Sequence, residues 1–203
     1  LLAVDELGNI VDGDQIMALV GLHMKQNGQL HGDTIVATVM SNLGFFLMGE
    51  RNDINIEQTK VGDRYVLERM KEIKASLGGE QSGHVIFLDE NTTGDGLLSA
   101  LHLLQVIVET GKPLSELKTV MEVMPQALVN AKVPNHKKEK YMDYPEIADA
   151  IAELDKKFAG EGRVLIRPSG TEPLVRVMIE GKDQKMIDRE AKKLAELIQN
   201  IML

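Results

Sequence analysis

The chain has 203 residues, 43% of them apolar, and 23 basic against 31 acidic side chains give a formal net charge of -8. That size and apolar share exclude a disordered protein and allow one large domain or two smaller ones, each with its own core; no apolar run approaches the roughly 20 residues that cross a bilayer. The acidic balance argues against nucleic-acid binding, the lack of cysteine removes disulfides, thiol nucleophiles and cysteine–metal sites, and 3% aromatic content leaves little for base stacking.

Leu1 to Val11 reads as a hairpin turning at Asp5–Asn9. Its opening on an apolar strand without methionine is what a piece of a longer protein would show. Asp12-Gly13-Asp14 caps a helix carrying Ile16, Leu19, Val20 and His23 and ending near Asn27-Gly28. Thr34–Thr38 has the β-branched apolar character of a buried strand, and Ser41-Asn42 caps the helix that follows to Met48-Gly49. Ile54–Val61 reads as another strand. Gly62-Asp63 caps a helix whose stripe Val66, Met70, Ile73, Leu77 predicts that it continues to Gly78-Gly79. Val85–Leu88 is a strand, and a polar loop from Asp89 to Gly96 precedes a helix from Leu97 to Thr110, stopped by Gly111 and Pro113. Strands alternating with helices predict an α/β layer with a largely parallel sheet.

The pattern changes around Val123-Met124-Pro125. Ala127–Val133 reads as a strand, and His136–Lys140 as a charged, solvated loop. Pro145 sits in the first turn of a helix running to Phe158. Strands Arg163–Arg167 and Leu174–Glu180 follow, and Asp183 caps a last helix with the apolar stripe Ile187, Ala191, Leu194, Ala195, Ile198, Met202. This second unit is β-α-β-β-α. The fold class is therefore a three-layer α/β mixed-sheet domain followed by a small α+β domain.

Between those two late strands, Arg167-Pro168-Ser169-Gly170-Thr171-Glu172-Pro173 packs a cation, two hydroxyls and a glycine into seven residues. A phosphate group needs such a set: bidentate guanidinium, short hydroxyl donors and inward-turned backbone N–H groups. A plain strand-to-strand turn would use the same prolines and glycine. On the outgoing strand Val175, Val177 and Ile179 share one face and Arg176 points to the other, where it can be a second arm of an anion site or a solvent-facing cation.

Gly79-Glu80-Gln81-Ser82-Gly83 places its serine one position late for a hydrolase nucleophile elbow. The same run suits a sugar clamp: Glu80 accepts from adjacent hydroxyls, Ser82 donates or accepts, His84 does either, and the glycines admit a close ring. An ordinary loop before a buried strand remains the plain reading. Asp5, Glu6, Asp12 and Asp14 lack calcium-loop spacing and are accounted for by turn and cap roles, and no two of the five histidines have ligand spacing.

Read together, R-P-S-G-T-E-P followed by R-V, about 80 residues after G-E-Q-S-G-H, resembles the α-D-phosphohexomutase superfamily. Val61–Val66, Thr93–Leu97 and Val39–Leu43 are similar to its bacterial phosphoglucosamine mutase branch. The resemblance implies the C-terminal half of a four-domain enzyme: residues 1–12 as a remnant of domain 2, 13–124 as the sugar-binding domain 3, and 125–203 as the phosphate-binding domain 4. It implies interconversion of glucosamine 6-phosphate and glucosamine 1-phosphate through a bisphosphate, on the way to UDP-N-acetylglucosamine and cell-wall precursors, in the cytoplasm. Glu80, Ser82 and His84 would hold the sugar. Arg167, Ser169, Gly170 and Thr171, with Arg176 beside them, would bind the phosphate that is not transferred. The phosphoserine loop and the Mg²⁺ loop of such enzymes lie N-terminal to Leu1, so the expected partners are a hexosamine phosphate and the N-terminal half of the same protein, with room for a homodimer of the full enzyme and none for nucleic acid or membrane. The chain alone is expected to be inactive. A mannose- or glucose-phosphate mutase, or a non-catalytic sugar-phosphate-binding module, are the other readings.

Overall fold

Asp5 begins a tight turn by accepting the backbone N–H groups of Leu7 and Asn9, at 3.0 and 2.8 Å. In the computed structural model, which describes residues 1–203, that turn pairs β1 (Ala3–Val4) antiparallel with β2 (Ile10–Val11). The chain folds as two units, Leu1–Val123 and Met124–Leu203.

In the first unit α1 (Gly13–Gln26) starts with a reciprocal capping box between Asp12 and Gln15. Strand β3 (Thr34–Thr38) is followed by α2 (Leu43–Arg51), capped by Asn42, and then by β4 (Asn55–Thr59). Helix α3 (Asp63–Ile73), β5 (Leu77–Gly79), β6 (Val85–Phe87), α4 (Gly96–Thr110) and the single turn α5 (Leu114–Leu117) complete it. The sheet runs β4-β3-β5-β6; the first two pairings are parallel and the last antiparallel, so the sheet is mixed. Alternation along the strands sorts the core. Ile35, Ala37, Val85 and Phe87 join the buried cluster of α1, α2 and α4, whereas Val36 and Ile86 pack with Val66 and Met70 of α3. Three layers result.

One expected element is corrected. The stripe through Leu77 predicts a longer α3, but Lys74 turns left-handed at φ 59 and stops the helix at Ile73. Leu77-Gly78-Gly79 then runs as a fully buried strand. Gly78 makes this close packing feasible: a Cβ there would lie 2.6 Å from Met70 Sδ and 2.8 Å from the Val36 carbonyl oxygen.

The second unit comprises β7 (Gln126–Lys132), α6 (Pro145–Phe158), β8 (Gly162–Pro168), β9 (Leu174–Gly181) and α7 (Gln184–Met202), its three strands forming an antiparallel sheet in the order β7-β9-β8. Helices α6 and α7 bury Ile147, Leu154, Phe158, Ile187, Leu194 and Ile198 against Val175, Val177 and Ile179. Each such side chain, fully buried, contributes about 1.5–3 kcal/mol. The other sheet face carries cross-strand rows of longer and polar side chains, among them Arg163 opposite Glu180 and Arg167 opposite Arg176. The charged run before α6 is solvated at His136, Glu139 and Lys140, as its composition suggests, but not at Lys138. It is a 3₁₀ turn, Lys138–Asp143, in which Lys138 is only 8% exposed.

Candidate functional site

In the second unit β8 delivers Arg167 and β9 delivers Arg176 to directly opposite positions on one sheet face. Like charges placed so are mutually destabilising. Arg163, four residues earlier on the same face of β8, is neutralised by Glu180 at 2.5 Å, and Arg176 reaches Glu172 at 3.1 Å, but the Arg167 side chain has no ion pair or hydrogen bond. Nε of both Arg167 and Arg176 is buried without a partner. Burial, and then the neighbouring Arg176 cation, push the Arg167 guanidinium below its ordinary value. Two half-buried guanidiniums with vacant donors, side by side, favour an anion between them.

The loop from Ser169 to Pro173 is held closed by two contacts of Ser169: its N–H donates to the Leu174 carbonyl at 2.9 Å, and its Oγ accepts the Glu172 N–H at 3.2 Å. Ser169 is thus a buried turn residue whose hydroxyl already holds the loop. The N–H groups of Gly170 and Thr171 donate to nothing within the chain, and the Thr171 hydroxyl is likewise free. Gly170 has open space where a Cβ would be. The donors available to a ligand are therefore two guanidiniums, two backbone N–H groups and the Thr171 hydroxyl.

In the first unit Glu80–His84 is a turn between β5 and β6, closed by Glu80 N–H to the His84 carbonyl and Gly83 N–H to the Glu80 carbonyl, both 2.9 Å. Neighbouring segments brace it. Gly13 N–H donates to the Gln81 carbonyl at 3.0 Å, and the Leu1 amine to the Gly83 carbonyl at 2.6 Å. Gly62, at φ 133, donates its N–H to Glu80 Oε1 at 3.0 Å, fixing the carboxylate and leaving its other oxygen open. Ser82 is exposed with its hydroxyl unpaired. The His84 ring lies flat against Gly94, where a Cβ would meet three ring atoms at 2.4–2.6 Å. Its Nε2 is buried without a hydrogen bond, 3.7 Å from Asp63 Oδ2.

The structure thus brings Glu80, Ser82 and His84 together in one unit, and Arg167, Gly170, Thr171 and Arg176 in the other, with Ser169 beneath the loop. Sequence reasoning gave Gly62 and Asp63 only a helix-capping role, for which the structure shows no side-chain cap bond, and gave Gly94 none. The signal was present in the Val61–Val66 and Thr93–Leu97 runs, where a glycine adjoins an acidic residue at a helix start. Lys138 was missed altogether.

The architecture is thus a mixed three-layer α/β unit carrying the Glu80–His84 turn, followed by an α+β unit that sets Arg167 opposite Arg176. Residues 12–124 match the family model for the alpha/beta/alpha domain III of phosphoglucomutase/phosphomannomutase, and residues 128–197 the model for its C-terminal domain. The chain belongs to the phosphoglucomutase/phosphomannomutase family. Phosphoglucosamine mutases of Ruminiclostridium cellulolyticum and Acetivibrio thermocellus are 63% and 59% identical to it over 199 residues, which is 98% of this chain but 44% of theirs. The chain thus spans under half the length of these curated relatives. Among solved structures, Aspergillus fumigatus N-acetylphosphoglucosamine mutase in complex with GlcNAc-6P and magnesium shares the fold, with a TM-score of 0.78 at 18% identity over 98% of this chain and 49% of that one. No helix here is long and apolar enough to cross a membrane.

Proposed function

We propose that this chain is the sugar- and distal-phosphate-recognising half of a phosphoglucosamine mutase that interconverts glucosamine 6-phosphate and glucosamine 1-phosphate through a bisphosphate. The observation that carries the reading is the Arg167–Arg176 pair with its vacant Nε groups beside the free N–H groups of Gly170 and Thr171. Such a set binds a dianion and has no nucleophile of its own. Glu80, with one oxygen held by Gly62, presents the other to a sugar hydroxyl; Ser82 and His84 flank it. In this reading the phosphate held by the arginines is the one not undergoing transfer, and the hydroxyls held by Glu80 look alike when the sugar turns over. One set of contacts therefore serves both orientations.

Magnesium accompanies the Aspergillus structure. As the family resemblance implies, we place the metal and the phosphoserine in the N-terminal half of the parent protein and route no step through them here. Choice of the amino sugar over mannose or glucose phosphate rests on the phosphoglucosamine mutase relatives at 63% and 59% identity. A cytoplasmic setting follows from the same substrate class. The purified chain should not interconvert the two glucosamine phosphates in a coupled assay, whereas fusion to the N-terminal half of the Ruminiclostridium relative should restore turnover. Turnover by the chain alone, or none from the folded fusion, would refute the proposal.

A further inference from the structure

We infer that Lys138 is a positioning residue of the phosphate loop: it ties the loop's backbone so that Gly170 N–H points at the anion, and it supplies a third cation beneath the site. The inference rests on the reading of that loop as an anion site. Lys138 Nζ donates to the carbonyl oxygens of Ser169 and, at 3.3 Å, Glu172. These acceptors bracket the loop at both ends. In a trans peptide the C=O and the following N–H point in opposite directions. With the Ser169 carbonyl turned toward Lys138, the Gly170 N–H is directed away from it, and it has no acceptor within the chain.

The charge balance agrees. Half-buried Lys118 and Lys25 meet carboxylates, Asp5 at 2.7 Å and Asp33 at 3.4 Å, and half-buried Lys137, more exposed than Lys138, donates to the Met202 carbonyl at 3.0 Å. Lys138 is only 8% exposed and meets carbonyl dipoles alone. A buried ammonium without a counter-charge is costly, and that cost is relieved when a dianion occupies the loop above. Its segment is otherwise bound to the same loop: Tyr141 hydroxyl donates to the Ile166 carbonyl at 3.2 Å, and Val133 N–H to the Pro173 carbonyl at 3.0 Å. The stretch from Val133 to Tyr141 therefore braces the loop from its entry to its exit, and Lys138 is the member whose charged group does so.

The test measures binding of inorganic phosphate to the 203-residue chain by titration calorimetry, together with amide hydrogen exchange. Lys138→Met should weaken phosphate at least about ten-fold, equivalent to ~1.4 kcal/mol, and speed exchange at Gly170 and Thr171 in the phosphate-bound state while Val177 and Ile179 stay protected. Lys138→Arg should keep affinity within about three-fold, under ~1 kcal/mol. If Lys138→Met does not fold, Lys138→Gln, which keeps a donor for the carbonyls but no charge, carries the same test. A folded Met or Gln variant with parental affinity overturns the inference. Arg167→Ala separates the two readings: if it abolishes phosphate binding while the Lys138 variants do not, the anion site stands and the role of Lys138 falls. If neither matters, or the parent chain binds no phosphate, both fall.

Discussion

Replacing Arg167 by methionine should make the second unit more stable and at the same time useless for phosphate. The guanidinium has no partner within the chain, its Nε is buried, and it lies directly opposite Arg176. A buried donor left unsatisfied costs about 1–3 kcal/mol. Because the side chain is only partly buried, water satisfies its remaining nitrogens, so the lower end of that range applies and the like-charge term adds little. Methionine retains most of the apolar stem and removes both liabilities, for a gain of ~1 kcal/mol. In a unit of this size that raises the melting temperature by about 4–8 °C.

Phosphate should reverse the order. A bidentate charge-assisted contact is worth about 1.5–3 kcal/mol, so the variant loses roughly ten- to hundred-fold in affinity. At a phosphate concentration near 100 times the parental Kd, the parent gains ~2.7 kcal/mol and the variant only a fraction of it. Thermal melts with and without phosphate, at ionic strength held constant with chloride, should therefore cross: variant above parent without phosphate, below it with phosphate. A variant that melts lower than the parent in phosphate-free buffer would refute the claim that Arg167 is held against its own preference. Equal phosphate shifts in the two proteins would remove it from the site.

Gly94→Ala puts a methyl 2.4–2.6 Å from three atoms of the His84 ring, which must swing off the loop. Since the ring is partly exposed, melting should change little, by under about 1 kcal/mol, while KM for glucosamine 6-phosphate in the full-length fusion rises roughly ten-fold; an unchanged KM would show that His84 placement is immaterial. Asp5 gives a pH prediction for the first unit. The Lys118 ammonium, then hydrogen bonds from Asn9 and Leu7, hold its carboxyl well below the usual carboxylate range against the opposing effect of burial. A depressed folded value means that the stabilisation is complete above the unfolded value, about 3.9, and is lost as pH falls through the folded one. Acid unfolding below about pH 4 should accordingly flatten in Asp5→Asn; superimposable pH–stability curves would contradict it.

What the sequence disclosed and what it withheld divide along the range of the interactions. Caps are local, and Asp12, Asn42 and Asp183 each accept from the first turn of the helix that their position announces. The paired arginines were half legible: alternation along β9 separates Arg176 from Val175 and Val177, but only the β8–β9 register sets Arg167 opposite it. Leu77 misled because a stripe at spacings of 4, 3 and 4 does not reveal that the backbone between Ile73 and Leu77 turns left-handed. Lys138 was invisible for a stronger reason. Within His136–Lys140 it is one cation among several, and nothing nearby in the chain distinguishes it from Lys137 or Lys140. Its burial is decided by two carbonyls 31 and 34 residues further on, and a backbone carbonyl has no residue identity to read. A site built on main-chain groups is therefore under-reported by any reading of side-chain types. That bears directly on this loop: its side-chain types match those of a phosphate site, whereas which N–H groups stay unpaired, and the contact of Lys138 with the Ser169 carbonyl, are set by the fold.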